Sequence, residues 1–245
     1  MQPFRVLIFS HTTAYRHASI PAGIRGIQRL ASLSTSTRAP FTADATEDPA
    51  IFSPSTLPTY RVIVLLQCSG DFLSPPQLST LQSFVRAGGG IVAIHCASYG
   101  QPSSPWYGRL IGAVFDNHPV PQTARVRIAD ANHSIIKDSL GRGVGMQQQQ
   151  QQQQHQWEWL WLDEWYNFKT HPRSLSPHLH VLLTVDEASY AGGTHGHDHP
   201  VAWCHDFDGG RSFYTALGHF DEAYEDEGFI GQVLGGIMWA ARALG

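Results

Sequence analysis

A segment of helical periodicity, Gln77–Ala87, runs into three glycines, Gly88–Gly90, and restarts as an apolar run that ends at His95 and Cys96. Glycine takes up the left-handed cap conformation without a steric penalty, so this stretch reads as helix, stop, strand. The strand Ile91–His95 has companions of the same kind in Phe4–Ser10 (FRVLIFS) and Val62–Gln67 (VIVLLQ), and a weaker one in Phe41–Thr46. Runs this apolar suit strands buried on both faces, the habit of parallel sheets flanked by helices. Ala18–Leu33 adds a helix, with Ile20, Ile24, Ile27, Leu30 and Ala31 at helical spacing and Pro21 near its start. The alternation predicts an α/β fold, a three-layer α/β/α sandwich around a mostly parallel sheet.

After Trp106 the pattern loosens. A short helix is expected at Tyr107–Gly112, strands at Ala124–Ile128, His180–Val185, Val201–Phe207 and Ser212–Leu217, and a closing helix at Gly228–Ala243. DFDGGRS, between the last two strands, reads as a tight turn, because no helix follows its glycines. With 245 residues and 42% hydrophobic content the chain fits a single domain over 1–245. Within it, 141–156 stands apart: Gly141–Gly145 leads into eight glutamines, Gln147–Gln154, a Gly/Gln-rich tract too polar to order itself and read as a disordered insertion. It is followed by WEWLWLDEWYNF, with four tryptophans in twelve residues.

The net charge of −4 gives no footprint for nucleic acid or an anionic membrane and favours a small neutral ligand. The three cysteines, Cys68, Cys96 and Cys204, lie far apart and make no disulfide framework, which points to a reducing, cytoplasmic setting. The apolar run Val6–Phe9 is too short for a signal sequence or a membrane span.

Open α/β sheets bind ligands at the carboxyl ends of their strands. There the first strand delivers His11, Arg16 and His17, the second Glu47 and Asp48, the third Asp71 and the fourth His95. Capping explains Asp48, Asp71 and His17 equally well, and Arg16 can simply hold a carboxylate. Glu164 sits beside Trp165 and Tyr166; an apolar aromatic wall would raise its pKa and suit it to proton transfer, whereas pairing with Arg211 would make it structural. GTHGHDHP (Gly193–Pro200) reads as a mobile loop over the pocket rather than a metal cluster, and His219 has the stronger positional claim. The residues around His95 do not match a nucleophile elbow, and neighbouring His95 and Cys96 point to opposite faces, which disfavours a cysteine hydrolase.

The succession FRVLIFSHTTAYRHASIPAGI, ATEDPAIF, VIVLLQCSGDFL, GGGIVAIHCAS, WYGRLIGAVFDNHP, DEWYNF, HPVAWCHDFDGGRSFYTALGH and GGIMWAA resembles the ThuA-like (trehalose utilisation) family. The resemblance implies a flavodoxin-like, class I glutamine amidotransferase-like fold in which His95 stands about where the amidotransferase nucleophile would be, with amidotransfer lost. It also implies carbohydrate metabolism, on trehalose-type disaccharides or 3-keto sugars made by a partner sugar dehydrogenase. The family-like positions are His17, Glu47, Asp71, His95, His118, Glu164, Tyr166, His199, Arg211 and His219.

Two functions are in view. One is an enzyme abstracting a proton next to a sugar carbonyl, with His95, Glu164 and Glu47 as catalytic candidates and a divalent metal on some of His17, His95, His118 and His219. His17, Asp71, Trp106, Trp165, Tyr166, His199 and Arg211 would then bind the sugar, the aromatic rings stacking on it. The other is a non-catalytic sugar-binding or regulatory protein. Neither requires a nucleotide cofactor, and both leave room for a homo-oligomer.

Overall fold

The structure is a computed structural model describing residues 2–34, 39–140 and 158–244. The Gly/Gln-rich segment 141–156 lies outside the described residues. The elements are, in order, β1 (Phe4–Phe9), α1 (Ile20–Ser34), β2 (Phe41–Thr46), β3 (Val62–Leu66), α2 (Pro75–Arg86), β4 (Gly90–Ile94), α3 (Pro105–Ile111), β5 (Phe115–Asn117), β6 (Gln122–Ile128), α4 (Ser134–Leu140), β7 (Glu158–Asp163), β8 (Asn167–Phe168), α5 (Pro172–Leu175), β9 (His180–Asp186), β10 (Pro200–Phe207), β11 (Gly210–Thr215) and α6 (Glu227–Ala240).

Nine strands form one sheet in the order β2-β1-β3-β4-β11-β10-β9-β6-β7, and β5 pairs with β8. From β2 to β11 all neighbours are parallel. From β11 to β7 all are antiparallel. The expected mostly parallel sheet is therefore corrected to a mixed one, half of each kind. The reason is visible in burial: β3 and β4 are buried at every position, whereas β6 and β7 alternate between inward and outward residues, as antiparallel strands with one wet face do.

The parallel half rests on full burial of its central strands. Each of Val62–Leu66 has no exposed surface, and each such side chain contributes about 1.5–3 kcal/mol by leaving water. Phe213 of β11 faces α6, where it lies against Gly236. The turn joining β10 to β11 has positive φ at both Asp208 (48°) and Gly209 (94°), the mirror-image geometry that tight hairpins favour. No described helix is long and apolar enough to cross a membrane.

Close packing of α4 on α6 depends on one glycine: a Cβ on Gly235 would run into the backbone carbonyl of Ile135. Gly235→Ala should therefore lower stability by about 1–3 kcal/mol through overpacking, against the gain of roughly 1 kcal/mol that alanine gives an exposed helix. A urea midpoint equal to or above wild type would contradict this packing.

Candidate functional site

The carboxyl ends of β1, β4, β7 and β11 lead into residues that meet in space. At the end of β4 the chain turns sharply, because His95 adopts a left-handed conformation (φ 53°) and opens a short 3-10 turn, His95–Tyr99. Such a backbone costs on the order of 1–3 kcal/mol for a residue other than glycine. The neighbouring strand β3 ends the same way, at Gln67 (φ 52°). The His95 ring is fully buried; its Nδ1 donates to the Ala216 carbonyl at 2.6 Å, which leaves Nε2 as the acceptor for the Tyr166 hydroxyl at 2.8 Å.

Glu164, just beyond β7, is the centre of the group. Its Oε2 lies 3.1 Å from His219 Nδ1, 3.3 Å from His95 Nε2 and 3.9 Å from His17 Nε2, while Oε1 lies 3.5 Å from His118 Nε2. Four histidines thus surround one carboxylate whose side chain is 11% exposed. Burial by itself pushes this carboxyl up, but the histidines together hold it well below the usual carboxylate range. The expected rise is thereby reversed: Trp165 points elsewhere, and polar rings rather than an apolar wall face the carboxylate. Burial lowers His17 to about 4, and neither of its ring nitrogens has a hydrogen-bond partner. For His219 burial acts downward, but the Glu164 carboxylate outweighs it and raises the pKa.

Residues that sequence reasoning passed over hold this geometry. Asp163 is fully buried and accepts from Trp161 Nε1 (2.9 Å) and the backbone N–H groups of Glu164 (2.9 Å), Gly218 (2.9 Å) and His219 (3.3 Å). Gln67 donates to the Gly218 carbonyl at 2.7 Å, and Ser19 to that of His219 at 2.6 Å. Tyr214 donates to the His95 carbonyl. The one signal for Asp163 in the sequence was its place at a strand end in DEWYNF. Beside the cluster stand partly exposed aromatic rings: Tyr15 over His17, and Tyr99 and Phe115 with His118 against Tyr166.

Several expected site residues lie elsewhere. Glu47 forms a half-exposed two-point pair with Arg16 (2.6 and 3.0 Å), and Asp71 is an exposed loop carboxylate. Trp106 donates to Asp208 at the β10–β11 turn, at the opposite edge of the sheet. Arg211 starts β11 rather than ending it, stacks on Trp239 and donates to its carbonyl, so it cannot pair with Glu164. Trp165 is buried with its Nε1 bonded to the Gln122 carbonyl, which removes it as a stacking surface. His199 acts through another residue: its Nε2 donates to the Tyr166 carbonyl at 2.9 Å. The loop that carries it is tied down, Thr194 donating to Asn167, His195 N–H to Glu187, and the His195 ring accepting from Phe168 N–H.

All three cysteines are free and buried, and burial pushes the Cys96 and Cys204 thiols up to about 12. Ellman's reagent should titrate none of the three thiols in the native protein at neutral pH and all three after denaturation. Rapid reaction of one thiol would restore the case for a cysteine nucleophile.

No curated protein matches the sequence significantly. Among solved structures, a ThuA-like protein from Bacteroides uniformis superposes with a TM-score of 0.69 at 22% identity, covering 97% of this chain and 91% of that one. A ThuA-like protein from Parabacteroides merdae gives 0.69 at 19% identity, covering 98% and 90%. A cytoplasmic protein from Salmonella typhimurium gives 0.57 at 10% identity, covering 96% and 98%. These similarities show the fold. The family model for trehalose utilisation, ThuA, matches residues 5–240, nearly the whole described chain, and the protein belongs to the ThuA family.

Proposed function

We propose that this protein is an enzyme of sugar metabolism that abstracts a proton beside the carbonyl of a keto sugar, at the cluster around Glu164. The family gives the sugar context. The convergence of four histidines on one buried carboxylate, flanked by partly exposed aromatic rings, carries the reading. The order β2-β1-β3-β4-β11 in the parallel half is that of flavodoxin-like sheets, whose ligand sites lie at these strand ends, and it supports the sandwich expected from the family resemblance.

Roles follow from the surroundings of each group. A carboxylate held far below its usual range is a weak base, so Glu164 serves as a fixed negative anchor for the histidines. His118 is the member most open to a ligand, its side chain 32% exposed. Its Nδ1 donates to the Pro119 carbonyl at 2.8 Å, leaving Nε2 to accept a proton. Proton removal from C2 of a 3-keto glycoside gives an enediolate; its collapse breaks the C1–O bond, and the leaving oxygen takes up a proton. The enolate oxygen would lie on the His17, His95 and His219 side, where a divalent metal held by these residues would supply electrophilic stabilisation. Tyr15, Tyr99 and Phe115, rather than Trp106 and Trp165, offer the sugar its apolar contact. A sugar dehydrogenase acting upstream would supply the 3-keto group.

The test is proton NMR in D2O with 3-keto-trehalose as probe and unoxidised trehalose as control. Deuterium should enter at C2 or the glycosidic bond should break with the keto sugar alone, and His118→Ala should lower the rate by about 10²–10⁴-fold. Binding of either sugar without exchange or cleavage would contradict the enzyme reading and favour a sugar-binding protein.

A further inference from the structure

One donor atom from each of His17, His95, Glu164 and His219 lies within 4.8 Å of the other three. The three histidine nitrogens stand 3.1, 3.3 and 3.9 Å from Glu164 Oε2, close to the edge of about 3.3 Å in a tetrahedron of ligands with ordinary metal–nitrogen and metal–oxygen bonds. His17 is the independent sign of a missing partner. It is 3% exposed, it points into the group, and both of its nitrogens are unbonded. A buried polar group left in that state costs about 1–3 kcal/mol, which a bound ligand would recover. His95 is held as metal-binding histidines are, its Nδ1 donating to the Ala216 carbonyl and its Nε2 turned into the group; the Tyr166 hydroxyl that Nε2 accepts from in this structure would give way to the ion.

We propose that His17, His95, Glu164 and His219 form the binding site of one divalent transition-metal ion. Three imidazoles and one carboxylate suit manganese, iron, cobalt, nickel or zinc; calcium and magnesium take oxygen ligands instead. The ligand set differs from the one expected from the sequence, with Glu164 in place of His118. His118 faces the other oxygen of Glu164 and spends Nδ1 on Pro119, so it stays beside the ion rather than on it. Neither of the two other histidine groups holds a buried ring with both nitrogens unbonded, like that of His17. His171, His195 and His199 bond the Asp198 carbonyl, the Phe168 N–H and the Tyr166 carbonyl, while His133 and His180 lie against Cys204 and Asp130. The site supplies the electrophile of the keto-sugar reading but rests on the donor geometry, not on that reaction.

The test uses untagged full-length protein stripped with a chelator and titrated with zinc or cobalt chloride in a calorimeter. Wild type should bind one ion per chain, and the cobalt form should show the intense visible absorption of a low-coordinate site. Glu164→Gln, and His95→Asn, which tolerates the left-handed backbone, should each weaken binding by about 100-fold or more. His133→Ala and His195→Ala, in the other histidine groups, should bind as wild type does. Absence of stoichiometric binding, wild-type affinity in both cluster variants, or equal loss in the two controls would overturn the site. Turnover of a 3-keto sugar by protein that binds no metal would keep the reaction and overturn the metal; one bound ion without turnover would do the reverse.

Discussion

The buried carboxylate of Asp163 holds the site together. Asp163 ends β7, the outermost strand, whereas the N–H groups of Gly218 and His219 that it accepts from follow β11. Four strand spacings separate β7 from β11 in the sheet, about 19 Å if it were flat. Contacts of 2.9 and 3.3 Å across that interval mean that the antiparallel half curls back over the carboxyl ends of the parallel half. An ionised carboxylate in a dry interior is costly unless hydrogen bonds replace its water. Here one backbone N–H group beside it, that of Glu164, and two from beyond β11, together with the Trp161 indole, do so. By satisfying its own charge, Asp163 sets the distance between Glu164 and His219.

This curling explains why a chain built half from parallel strands continues into an antiparallel one. The parallel half brings His17, after β1, and His95, after β4, to the same edge of the sheet with β3 between them, as a doubly wound sheet does. It has no element on the open side of those ends. β6 and β7 provide that wall, and the irregular stretch beyond β7 brings Glu164 and Tyr166 down onto His95 from above. His199 then supports Tyr166 from behind through its carbonyl.

The parallel half was legible in the sequence because its signal is local. β2 matches Phe41–Thr46 residue for residue, and β1, β3, β4, α1, α2 and α6 fall within two or three residues of their expected bounds. In the antiparallel half β6, β9, β10 and β11 also fall within two residues of their expected bounds, but β7 was missed, because the apolar richness of the tryptophan segment obscured the alternation in WLWLD. Within the site, His17, His95 and His219 could be found from their places after strands, and His118 from the family resemblance. Trp165 could not be separated from Glu164 and Tyr166, because adjacent residues face opposite ways and only the tertiary fold decides which way is inward. Arg211 was misplaced for a simpler reason: it lies at the start of its strand, and so belongs to the edge opposite His219.

The account treats the histidine cluster as something the fold tolerates for the sake of a ligand rather than something that stabilises it. His17 is the plainest case, a buried ring with no hydrogen-bond partner in a core where Ile20, Phe9 and Leu66 are fully packed. Urea unfolding of metal-free His17→Leu therefore bears most directly on the claim. The account predicts stability equal to wild type or higher by about 1 kcal/mol, since a stranded polar group has been removed. A loss of about 2 kcal/mol or more, the size of a broken core contact, would show that the cluster serves the fold and would contradict its assignment as a functional site.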